Sequence, residues 1–97
     1  MKYSSKNKPL VCMMTNSTCY KNTKTMTVRG ILWHSTGSNN NTVRRYVQPS
    51  DDASNRNELI NKIGKNQYGN DWNHIYLDAG VNAFIGLLAD NKTIATV

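Results

Sequence analysis

Thr27-Val28-Arg29-Gly30-Ile31-Leu32-Trp33-His34-Ser35-Thr36-Gly37 is the stretch whose reading decides the fold. From Thr27 to Trp33 it is β-branched, aliphatic and aromatic, about as long as an ordinary strand. Gly37 and the asparagines at 39 to 41 then stop it. The pattern predicts a buried strand over 27–34 that delivers the imidazole of His34 to the point where a sheet meets its loops. In an α/β protein that is where pockets form, because loops carry polar groups over a rigid floor. The plainer alternative is a strand-end histidine hydrogen-bonded to backbone.

Outward from this run the chain alternates short ordered pieces with polar connections. On the N-terminal side, residues 1 to 9 are polar and basic and read as a flexible arm, with order beginning near Pro9. Leu10-Val11-Cys12-Met13-Met14 is a short apolar run, read as a weak strand or an extended segment draped over the core, with a loop as the alternative. Thr15-Asn16-Ser17-Thr18 is turn-like. On the C-terminal side, Val43, Tyr46 and Val47 fall at i, i+3 and i+4, so residues 43 to 48 predict a helical turn ended by Pro49. Asn55 followed three residues later by Glu58 predicts a helix over 55–64 with a capping box. Its apolar stripe is Leu59, Ile60 and Ile63, and Gly64 closes it.

Residues 66 to 74 carry aromatic, amide and acidic groups without a period and read as a long ordered loop. Tyr68 and Trp72 would be lids over the core, and His74 a hydrogen-bonded loop residue. Asp71-x-x-His74 is too ordinary a pattern to identify a metal pair. Two strands, 80–89 and 93–97, flank Asp90-Asn91-Lys92, a turn suited to positive φ. The expected class is α/β: a mixed β-sheet flanked by helices, with 27–34 and 80–89 in one sheet. A chain ending on Ile94-Ala95-Thr96-Val97 leaves an apolar edge, so the domain is expected to be truncated within its sheet.

Composition narrows the function classes. With 97 residues the chain is one small domain that buries somewhat over ~60% of its unfolded surface. Apolar residues make up 38%, and no run approaches the ~18 needed to cross a bilayer, so membrane insertion is not expected. The start lacks the long apolar core of an export signal. The net charge of +6 divides into +8 over residues 1 to 50 and −2 over the remainder. A basic half attracts nucleic acid, anionic membranes and the anionic polymers of a bacterial wall alike. The basic residues form no basic helix, finger spacing or aromatic-basic sheet, which disfavours nucleic acid. Cys12 and Cys19 have neither zinc-knuckle nor redox spacing and are expected to be reduced thiols that bind no metal. The 14 asparagines reflect coding bias and suggest no chemistry.

Four segments together resemble one family. Residues 30–37, Arg45-Tyr46-Val47-Gln48-Pro49, Tyr68-Gly69-Asn70-Asp71-Trp72-Asn73-His74 and Gly80-Val81-Asn82-Ala83-Phe84-Ile85-Gly86 are similar to the first half of zinc-dependent N-acetylmuramoyl-L-alanine amidases. The closest likeness is to phage and prophage endolysins of clostridial type, which share the peptidoglycan-recognition-protein fold. The resemblance covers residues 10 to 97. It implies that His34 is a zinc ligand, and that Ser35, Thr36, Trp72, Asn73 and Asn82 contact bacterial peptidoglycan. The zinc of this family polarises the amide between N-acetylmuramic acid and L-alanine and lowers the pKa of its bound water toward ~7. The resemblance further implies a location in the cytoplasm until release to the wall.

Departures from the family pattern shape the expectation equally. The other two ligands, a His and a Cys or Asp, lie in the family beyond the position of Val97. A catalytic tyrosine of many relatives is replaced by Val81. The chain is therefore expected to be an incomplete amidase, with catalytic residues unassigned and a C-terminal remainder of the domain as a conceivable partner. The alternatives are a catalytically silent wall-binding module and, on charge alone, a basic nucleic-acid or regulatory protein.

Overall fold

The computed structural model describes residues 9–21, 27, 29–37, 39–75 and 81–97, with the side chain of Cys19 excepted. The predicted arm at 1–8, Val28, Asp78 and Gly80 lie outside the described residues. In chain order the elements are a short helix α1 (Thr18–Lys21), a 3-10 turn (Val43–Arg45), helix α2 (Arg56–Ile63) and strands β1 (Ile85–Leu87) and β2 (Ile94–Thr96). The fold is mixed α/β in this loose sense. Among the described residues no helix is long and apolar enough to cross a membrane.

Local signals build most of these pieces. Helix α2 begins after Asn55 and ends at Gly64, whose φ of 94° lies where a side chain would be strained; a Cβ there would also meet Arg44 Cδ at 2.8 Å. Asn55 occupies the cap position, yet its side chain makes no capping hydrogen bond, so the predicted capping box does not form. The hairpin forms where the sequence places it but is shorter: of the predicted strands 80–89 and 93–97 only Ile85–Leu87 and Ile94–Thr96 are strand among the described residues. β1 and β2 are antiparallel, with Ile85 opposite Thr96 and Leu87 opposite Ile94, and Phe84 and Val97 exchange both backbone bonds at 2.8 Å. In the turn, Asn91 takes φ 56°, and the Asp90 carboxylate accepts the Lys92 and Thr93 N–H groups.

The interior is small. Val43, Val47, Leu59 and Ile63 are buried, with Leu10, Cys12, Met14, Tyr46, Phe84, Leu88 and Val97 packed partly against them. The predicted stripe on α2 is thus confirmed at Leu59 and Ile63, with Ile60 half-buried. Residues 10 to 14 form no helix or strand; Leu10, Cys12 and Met14 pack against this core, and Leu10 N–H donates to Thr96 O in β2. The Ala89 N–H donates to Lys62 O and fastens the hairpin to the end of α2.

The predicted strand over 27–34 does not form. Its described residues, 27 and 29–34, belong to no strand and are exposed, Leu32 to 92% and Trp33 to 74%. The reason lies at the edge of β1. Leu87 N–H donates to Asn41 O, and Thr42 bridges Leu87 in parallel, so the segment after the glycine turn covers that edge. Gly86 permits the approach, since a Cβ there would meet Asn41 O at 2.9 Å. Apolar composition favours a strand only where a partner edge is open.

Candidate functional site

An open cleft of about 600 Å³ runs between the outer face of the hairpin and the segments around His34. Ile85, Leu87 and Ile94 form its apolar wall, Val43, Tyr46 and Phe84 its base, and His34, Ser35, Thr36, Asn40, Asn41 and Thr42 its polar rim. The alternation of β1 produces the wall, because Phe84 and Leu88 point to the core while Ile85 and Leu87 point away.

The base is an aromatic stack. Tyr46 and Phe84 lie parallel with ring centres 5.4 Å apart, and Trp72 meets Phe84 edge-on at 5.5 Å. Arg45 lies over the Tyr46 ring at 5.2 Å. Trp72 is half-buried as a lid, whereas Tyr68, also read as a lid, is 85% exposed.

Of the residues implied as substrate contacts, Ser35 and Thr36 line the cleft with His34. Trp72 adjoins it through Phe84, and Asn82 is exposed outside its lining. Asn73 is interior: its side chain accepts the Asn16 N–H at 3.0 Å and donates to Ser50 Oγ, so it ties the N-terminal segment to the loop.

Among the described residues no donor set for a catalytic zinc comes together. Such a site needs three converging protein ligands, and a ligating histidine normally has its second nitrogen held by a hydrogen bond. His34 has no hydrogen-bond partner among the described residues, and no three His, Cys, Asp or Glu side chains gather there. Cys12 is a free thiol facing the core; burial, with the Asp71 carboxylate nearby, pushes it up to about 11. The side chain of Cys19 lies outside the described residues.

A second polar site centres on His74, which is hydrogen-bonded within its loop as the sequence reading expects. Its Nδ1 is 2.8 and 2.9 Å from the two oxygens of buried Asp71, and its Nε2 is 3.3 Å from Asp51. The hydrogen bond to Asp71 chiefly, aided by Asp51, raises the imidazole above its ordinary value against the opposing effect of burial. The i, i+3 pair was visible in the sequence; its third member, 23 residues away, was not.

Comparison of the chain with protein-family models, with curated proteins and with solved structures finds no match.

Proposed function

We propose that this chain is the first part of an N-acetylmuramoyl-L-alanine amidase-type domain, and that by itself it binds bacterial peptidoglycan without cutting it. The supporting observation is convergence: three of the four motif segments that carry the resemblance meet at one cleft. His34, Ser35 and Thr36 come from the first, Tyr46 from the second, and Phe84, Ile85 and Gly86 from the last. An apolar wall beside hydroxyl, amide and aromatic groups suits a glycan strand bearing a short peptide. The basic first half adds attraction to the anionic wall.

The amidase activity of the family requires a metal, and the described residues gather no donor set for one, so no catalytic step is assigned to this chain. The test incubates the purified chain with zinc and Gram-positive cell walls, measuring wall retention and released amino groups beside His34→Ala and Ile85→Asp. Retention is expected for wild type and His34→Ala, reduced retention for Ile85→Asp, and no release of L-alanine termini. Release by wild type but not by His34→Ala would overturn the non-catalytic reading. Absence of retention even at low salt would overturn wall binding.

A further inference from the structure

The arrangement around His74 has a consequence independent of what the cleft binds. Each ring nitrogen faces a carboxylate: Nδ1 faces Asp71 and Nε2 faces Asp51. A neutral imidazole carries a single N–H and can donate to only one of them, leaving a lone pair against the other oxygen. The imidazolium donates to both. Asp71 is also tied to its own turn, since its Oδ1 accepts the Asn73 N–H at 2.9 Å. Asp51 sits in the turn before α2, where Arg56 Nε approaches it at 3.9 Å.

The next residue carries this arrangement to the cleft. Trp72 N–H donates to Tyr46 O at 2.9 Å, and its ring rests on Phe84. We propose that His74 is a protonation-controlled latch: charged, it ties the 71–75 turn to the Asp51 turn and holds Trp72 on the aromatic base; neutral, it releases the Asp51 side and loosens Trp72. His74 is thus a positioning residue that acts through Trp72. The other charged or titratable groups around it are Arg56 and Lys65, which line the same pocket of about 260 Å³ and oppose its charge, and Cys12, which lies near Asp71. Arg56 stands on α2, and the other groups come from four short segments outside it, so the latch joins separate parts of the chain.

The test uses the full chain carrying Trp33→Phe, so that Trp72 is the single tryptophan. Imidazole proton shifts are followed by NMR from about pH 5 to about pH 9. Hydrogen exchange of the Trp72 amide, corrected for intrinsic base catalysis, reads the bond to Tyr46 directly. Protection is expected to fall about tenfold with the same midpoint as the His74 titration. In Asp51→Asn, which alters an exposed side chain, both midpoints should move together to lower pH. In His74→Gln the corrected protection should be independent of pH. Protection that stays level while His74 titrates, or an unmoved His74 midpoint in Asp51→Asn, would overturn the latch.

Discussion

Replacing Ile63 with alanine and, separately, Leu32 with alanine tests whether the core has been placed correctly. Ile63 is 0% exposed and lies against Val43, Val47 and Leu59, so truncation strands a cavity in the only fully buried apolar cluster among the described residues. Three carbons are removed. At ~0.8 kcal/mol each the transfer loss is ~2.4 kcal/mol, and the cavity raises it to about 3 to 4 kcal/mol. The better helix propensity of alanine returns only a few tenths of this. A domain of this length has ~5–15 kcal/mol in total, and one with so small an interior sits at the low end. Leu32, 92% exposed, should cost within ~0.5 kcal/mol. The assay is urea unfolding followed by far-ultraviolet circular dichroism, with Ile63→Val, expected near ~1 kcal/mol, as the measurable intermediate. Equal losses at Leu32 and Ile63 would mean that residues 27–34 form a buried strand after all, and the arrangement described here would fail.

Gly86→Val should cost ~1–3 kcal/mol, because its Cβ would meet Asn41 O at 2.9 Å and Val43 Cγ1 at 3.1 Å; calorimetry checks this, with Gly30→Ala, open on all sides, as the control. In a Cys19→Ser background, alkylation of Cys12 at about pH 8 should run about a hundredfold slower than in urea, since a thiol pushed up to about 11 is almost wholly protonated. Stability should depend on His74 with a definite sign. Its folded value is raised, so its contribution is complete below the ordinary 6.5 and is lost as pH rises through the folded value. Denaturation midpoints should therefore fall across that window, less so in Asp51→Asn.

What the sequence disclosed and what it concealed divide along the range of the interactions. Helix α2 and the β1–β2 hairpin were legible because their determinants are neighbours: Leu59 and Ile63 one turn apart, Gly64 at the helix end, Asp90 and Asn91 between the strands. The helical turn at Val43 was legible for the same reason. Residues 27–34 were misread because strand formation depends on a partner edge, and Asn41 and Thr42 cover the edge of β1. The structural role of Asn73 was not legible either, since its bonds to Asn16 and Ser50 cross 57 and 23 positions of sequence. No local pattern announces such pairs.

The same division bears on what the cleft can do. Its base is fixed from several directions: Tyr46 and Phe84 stack, Trp72 is bonded to Tyr46, and the hairpin is fastened to α2 through Ala89 and Lys62. Its histidine is not held in that way among the described residues. His34 stands on an exposed segment with no hydrogen-bond partner among the described residues, whereas a reacting or metal-binding group must be held within ~0.5 Å by its surroundings. Recognition tolerates that asymmetry, because a rigid aromatic base supplies contact area while a loose rim adapts its hydrogen bonds to the ligand. Hydrolysis does not, because a displacement of ~1 Å at the reacting group can cost ~10²-fold in rate. Wall binding should consequently be sensitive to Ile85→Asp and indifferent to His34→Ala. A domain in which His34 had become a working ligand would show the second substitution as the damaging one.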